Sequence, residues 1–214
     1  MAMQTVPSNR DRVYAFIRDE ILPDASQHGS FLTEEQVADR VGGTSRTPVR
    51  EAFLLLASEG LLQLVPRHGA YVPPVTKQEI SEALEYRSFI EAKAAEVVIE
   101  RGTIPVEAME RALKHQSDSS DAGHEREFVE WDNEFHLALV RAVGNSLMTK
   151  SYTDLRARHI RIGIRALMNT PERQAAVIAE HQAIIDGLKS KDPEIAKGAL
   201  LGHIRTTASG LAEI

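Results

Sequence analysis

Four residues carried on three separate stretches have the types and spacing to hold one metal ion. Through and around "EWDNEFHLAL", residues 130–139, the apolar positions Phe128/Val129, Phe135, Leu139/Val140 and Val143 follow the spacing of a buried helical face. Asp132 and His136 fall on that same face, one turn apart. A carboxylate in an apolar stripe is costly unless something pairs with it. His181 lies in another such stripe, with Val177/Ile178, Ile184/Ile185 and Leu188, and His203 in a third, with Leu200, Thr207 and Leu211. A single inward histidine is ordinarily a hydrogen-bonded core residue. Four inward ligand types on three helices point instead to a shared ion. Three imidazoles and one carboxylate suit a divalent transition metal (zinc, nickel, manganese or iron) better than calcium or magnesium, which prefer shells of oxygen.

Two more polar residues interrupt apolar rows. Arg87 falls among Ile80, Ala83/Leu84, Ile90, Ala94 and Val97/Val98. It can pair internally with Glu91 one turn on, or offer a fork to the carboxylate of a ligand. A metal in the same bundle favours the second reading, in which cation and arginine clamp a small organic acid. His159, in a row with Tyr152, Leu155 and Ile162, either lines that cavity or belongs to the core. A metal-dependent hydrolase is the enzymatic rival. Four protein ligands leave less room for substrate than three, and Glu134 points from a different helical face than Asp132 and His136. H-E-x-x-H, G-x-S-x-G and glycine-rich phosphate loops do not occur. The sequence reads as a non-enzyme.

The elements that must position these residues are helices. From Thr76 to the C-terminus the pattern predicts about six, with no strand signal. Thr76 and Glu79 suggest a capping box opening a long helix to about Glu100. Pro105, Pro171 and Pro193 mark three further starts, with Thr170 and Asp192 as N-caps of the last two. One helix is predicted from about Ser146 to Met168. This is an all-α bundle.

The first 75 residues differ. A helix over residues 10–22 is followed by "HGSFLTEEQVADRVGG", where Thr33 and Gln36 form a capping box. A third helix starts near Ser45 with Pro48 in its first turn, and its inner face is Val49, Ala52/Phe53 and Leu56. "LLQLV" and "AYVPP" then read as a hairpin around "PRHG". This is the element order of a winged helix-turn-helix, whose third helix enters the major groove. Arg46 and Arg50, one turn apart, can contact guanine or phosphate. Ser45 and Thr47 offer short donors, and Arg67, His68 and Gly69 form the wing tip. The predicted domains are 1–74 and 75–214, and the fold class is mainly α.

Composition is compatible with this. The chain has 214 residues, 43% of them hydrophobic and 26% charged, with a formal net charge of −6 and no cysteine. That leaves no disulfide framework and no thiolate chemistry. The absence of a signal peptide and of any long apolar run predicts a cytoplasmic protein without a membrane span. Between residues 40 and 72, Arg40, Arg46, Arg50 and Arg67 outweigh Glu51 and Glu59, a local excess of positive charge suited to DNA.

"TSRTPVREAFLLLASEGLLQLVPRHGAYV" resembles the signature of GntR-type winged-helix transcriptional regulators. The resemblance implies that Arg46, Thr47 and Arg50 touch the operator and that His68 and Gly69 contact DNA from the wing. Glu35 departs from it by standing where many members carry an arginine. Gly42-Gly43-Thr44 is one residue longer than the usual turn, and His28-Gly29 replaces a common Pro-Gly. Farther on, D-x3-H, a histidine 45 residues later and another 22 beyond that are similar to the metal-binding pattern of FCD effector domains in the FadR branch. "EYRSFIEAKAAEVV" resembles their first helix, and "AVGNSLM" their A-x-G-N turn, which places Asn145 near the pocket. Six helices rather than seven resemble the VanR subgroup. The implied protein is a ligand-responsive regulator, more often a repressor. It would be a homodimer on a palindromic double-stranded operator, answering to a small carboxylate effector. The alternative is a regulator for which the metal itself is the signal.

Overall fold

The computed structural model describes residues 7–120, 123–168 and 173–212, and the chain forms two compact units, Met1–Val75 and Thr76–Ile214. In the first, α1 (Asn9–Phe16) starts at Ser8, whose hydroxyl accepts from the Asp11 amide, and continues into a wider π turn over Ile17–Ile21. The short strand β1 (Phe31–Leu32) precedes α2 (Glu34–Arg40), which opens on the predicted capping box. Thr33 Oγ1 accepts from the Gln36 amide at 3.2 Å, and Gln36 Oε1 from the Thr33 amide at 3.0 Å.

Helix α3 (Arg46–Ser58) buries Val49, Ala52, Phe53 and Leu56, the face its spacing predicts, and packs on α1. Strands β2 (Gln63–Val65) and β3 (Gly69–Tyr71) form the antiparallel hairpin, with Val65 opposite Gly69. β1 adds to the far edge of β3, with Phe31 opposite Tyr71, giving the order β1-β3-β2. Sequence periodicity does not reveal β1, because two residues have no period. Gly69 holds φ at +96°, and a Cβ there would run into the Leu32 carbonyl oxygen. Only glycine lets β3 lie that close to β1.

The second unit is helical: α4 (Lys77–Arg101), α5 (Val106–Asp118), α6 (Glu125–Ala142), α7 (Ser146–Asp154), α8 (Arg156–Met168), α9 (Arg173–Lys189) and α10 (Pro193–Ala212). Thr76 caps α4 by accepting from the Glu79 amide at 3.0 Å. The expected box is one-sided, since the Glu79 carboxylate turns toward Arg158, 3.6 Å away. Asp192 Oδ1 caps α10 by accepting from the Glu194 amide at 2.9 Å. The expected start at Thr170 and Pro171 lies outside the described residues. The helix expected to run unbroken from Ser146 is divided at Leu155. There ψ is 0° and the amide reaches back only three residues, to the Tyr152 carbonyl. That tightened turn gives seven helical segments among the described residues where sequence spacing gives six.

One apolar cluster joins α4, α5, α6, α9 and α10 through Ala94, Val98, Met109, Phe135, Leu139, Ile184, Ile185, Leu188 and Leu200. Burying each of the larger side chains contributes about 1.5–3 kcal/mol. This is what holds the polar positions of α6, α9 and α10 against one another. No helix among the described residues is long and apolar enough to cross a membrane.

Candidate metal centre and DNA-binding face

The packing of α6, α9 and α10 brings Asp132, His136, His181 and His203 together, with one ligand atom from each lying within 4.8 Å of all the others. His136 Nε2 lies 3.2 Å from His181 Nε2, and His181 Nε2 lies 3.3 Å from Asp132 Oδ1. Asp132 Oδ2 is 4.0 Å from His136 Nε2. The three imidazoles are buried, while the Asp132 side chain keeps 19% of its surface exposed. Phe135 stacks on His181 with ring centroids 4.0 Å apart and fixes that ring's plane.

Separate groups face the outer nitrogens of the rings. Glu180 Oε2 accepts from His203 Nδ1 at 2.7 Å, and Gln116 Oε1 from His181 Nδ1 at 2.7 Å. Glu91 Oε2 lies 2.7 Å from His136 Nδ1, in an oblique approach. A proton kept on Nδ1 of His181 and of His203 leaves the lone pair on their Nε2. Lone pairs and a carboxylate then face one another, a repulsive arrangement that a cation turns into an attractive one. The spacing fits as well. Two nitrogens bound at about 2.0–2.1 Å to one tetrahedral ion lie about 3.3 Å apart. Oriented donors with hydrogen-bonded outer partners are the construction of protein metal sites.

The outer partners extend into a network. Arg87 Nε donates to Glu91 Oε1 at 2.8 Å, and the Tyr152 hydroxyl donates to the same oxygen at 2.7 Å. Burial alone would raise the Glu91 carboxyl, but Arg87 and His136 overcome it and hold the group well below the ordinary carboxylate range. Arg173 donates to both Glu180 oxygens, at 2.6 and 2.8 Å. Against a desolvation that opposes ionisation, His203 and Arg173 bring Glu180 down to about 2. Burial lowers His181 well below the ordinary imidazole value.

The expected effector residues take different places. Arg87 makes the internal pair with Glu91, yet its Nη2 is buried without a hydrogen-bond partner. Both ring nitrogens of His159 are likewise buried and unpartnered, and its ring lies 5.0 Å from that of Tyr152. Burial, with Arg87 nearby, pushes His159 down to about 3, so the ring is neutral. Asn145 caps α7, its Oδ1 accepting from the amides of Leu147 and Met148 at 3.0 and 3.1 Å. It follows His136 by nine residues and lies beyond the end of α6 at Ala142. Sequence reasoning missed Gln116, Glu180, Tyr152 and Arg173. Gln116 had a signal, because it continues the apolar row Met109, Ala112/Leu113 of α5.

In the first unit, Ser45 is the N-cap of α3, and Arg46, Thr47 and Arg50 project from its first turn into solvent. Arg46 and Arg50, but not Thr47, line a cleft of about 560 Å³ with Arg67, His68 and Gly69 of the wing and with Glu34 and Glu35 of α2. Arg67 takes φ of +67°, rare for a residue with a side chain, so the wing tip holds it in a strained turn. His68 packs beside Phe31, ring centroids 5.8 Å apart.

A wing and an exposed arginine-bearing helix, followed by an all-α unit with an inward cluster of histidines and an aspartate, define a transcriptional regulator with a separate helical domain. Residues 9–72 match the family described as "Bacterial regulatory proteins, gntR family" and residues 82–206 match the "FCD domain". The chain belongs to the GntR family, in its FCD-containing branch. It is 30% identical, over 91% of its length and 87% of the relative's, to the "Probable D-xylose utilization operon transcriptional repressor" of Paenarthrobacter nicotinovorans. The solved structure of McbR/YncC from E. coli superposes with a TM-score of 0.81 at 21% identity, covering 97% of this chain and 99% of that one. A solved FCD domain described as metal-free matches 65% of this chain and 99% of its own, with a TM-score of 0.51 at 22% identity.

Proposed function

We propose that this regulator is a ligand-responsive repressor, a homodimer on a palindromic operator, whose helical unit takes a divalent transition metal at Asp132, His136, His181 and His203. The observation that carries the metal is the convergence of one carboxylate and three imidazoles, with the Nδ1 atoms of His181 and His203 already hydrogen-bonded to outer partners. When bound, the ion supplies positive charge beside which a small organic acid gains a partner. Arg87 Nη2 offers that acid a donor. His159, neutral, offers one donor and one acceptor. Asn145, occupied as a helix cap, is not needed for this reading. Arg46, Thr47, Arg50 and the wing residues contact DNA, and two such faces are required because each reads a half-site. The acid shifts the population toward an arrangement that no longer presents both faces to the operator.

A second reading makes the ion itself the signal. It is favoured by Glu91, which already neutralises Arg87 and so reduces its pull on an outside anion. Metal analysis of purified protein, followed by a thermal-shift screen of mono- and dicarboxylates with and without chelator, tests both readings. An acid-induced shift that disappears with the metal supports the first. Operator release by metal alone supports the second. Protein with no stoichiometric ion and no response to zinc, nickel, manganese or iron rejects both.

A further inference from the structure

The two arginines best placed to touch DNA are each held by a carboxylate of the neighbouring helix. Glu34 Oε1 accepts from Arg50 Nε at 2.8 Å and its Oε2 from Arg50 Nη2 at 3.3 Å. Glu35 Oε2 accepts from Arg46 Nη2 at 3.1 Å. Glu34 is recessed, with 24% of its side chain exposed, whereas Glu35 exposes 71% and the arginines 71% and 67%. All four line the cleft between α2, α3 and the wing. Three arginines there, counting Arg67, meet two carboxylates, so the face that must approach a polyanion is nearly neutralised.

Exposed pairs of this kind add little to stability, and nothing in the packing of α2 requires them, since its start is capped by Thr33 and Gln36. Their geometry does match one ligand chemistry. A guanine presents two acceptors, N7 and O6, in the major groove, and its cytosine partner presents an amino donor at N4. An arginine beside a carboxylate offers donors and an acceptor in the complementary arrangement. Glu34, gripping Arg50 along its Nε edge, turns the opposite end of the guanidinium outward. Glu35 projects far enough to accept from a base itself.

We propose that Glu34 and Glu35 are specificity-determining residues for DNA. Glu34 positions Arg50, Glu35 with Arg46 reads the major-groove edge of a G·C pair, and both carboxylates suppress capture of arbitrary backbone phosphate. This rests on the reading of the first unit as the DNA-binding face. It assigns the operator half-site a G·C pair opposite Arg46.

The test uses the whole chain, in wild-type, Glu35→Gln and Glu34→Gln forms, with unchanged circular dichroism melts as the folding control. Each protein selects from a randomised duplex library, and its affinity for the selected and for random-sequence duplex is followed against salt. The wild type is expected to enrich a half-site with a fixed G·C pair. Glu35→Gln is expected to lose enrichment at that pair, and its ratio of specific to random affinity to fall about tenfold. Its affinity for random duplex is expected to gain roughly an additional threefold between 200 and 50 mM salt, the increment of one freed phosphate contact. Glu34→Gln is expected to show the same salt increment with a smaller loss of selection. A Glu35→Gln protein with wild-type selection and an unchanged ratio overturns the proposal. A wild type that binds no duplex at all overturns the DNA-binding reading on which it rests, so the two failures are told apart.

Discussion

Replacing Gln116 by leucine tests whether the polar cluster is a metal site. Gln116 is fully buried and touches two residues of the cluster at once: Oε1 accepts from His181 Nδ1 at 2.7 Å, and Nε2 lies 3.4 Å from Asp132 Oδ1. Leucine keeps nearly the same volume, so the apolar packing of α5 against α6 survives while both polar contacts are lost. Without metal, an orphaned His181 Nδ1 costs about 1–3 kcal/mol. With metal there is a second loss, because removing an outer partner typically weakens binding ten- to a hundredfold, about 1.4–2.7 kcal/mol. For a unit spanning Thr76–Ile214, unfolding entropy converts roughly 0.3 kcal/mol into one degree. The stabilisation by a saturating transition metal should therefore be about 5–9 °C smaller in Gln116→Leu than in wild type. Melting each protein with chelator and with metal isolates this difference, since the cost to the metal-free fold cancels. Equal metal-induced shifts in the two proteins, or none in the wild type, would refute the argument that Gln116 orients a ligand.

Three further outcomes are expected. Arg50→Ala should lower operator affinity roughly tenfold or more and leave the metal-induced melting shift unchanged; loss of both would argue that the two units are not separate modules. Gly69→Ala places a Cβ against the Leu32 carbonyl at a φ of +96°. It should destabilise the first unit by about 1–3 kcal/mol and weaken DNA binding, which a melt and a gel-shift titration will show. Glu180 is ionised down to about 2 in the fold. A carboxyl depressed by folding contributes stability that is present above its unfolded value and is lost as pH falls toward the folded one. Chelated wild type should therefore lose stability more steeply than Glu180→Gln between about pH 4.5 and 2; parallel acid limbs would contradict this.

What the sequence revealed and what it hid have one physical explanation. Asp132, His136, His181 and His203 were legible because each interrupts a regular apolar row, and a row records which way its own helix faces the core. The same test finds Gln116, which ends the buried stripe Met109, Ala112 and Leu113 of α5. Glu180 and Arg173 escape it. Glu180 is the neighbour of an inward histidine, and its role arises only because α10 brings His203 Nδ1 within 2.7 Å. Arg173 matters in turn only through Glu180. The break at Leu155 escapes for a different reason, since no glycine or proline marks it and both flanking segments keep helical spacing. That break falls beside the site. Tyr152 lies on one side of it and His159 on the other, their rings 5.0 Å apart, and Tyr152 bonds the carboxylate that faces His136. The row Tyr152, Leu155, His159 and Ile162 puts both rings on one face whether the segment is one helix or two, so spacing reads the face correctly and is blind to the tightened turn within it.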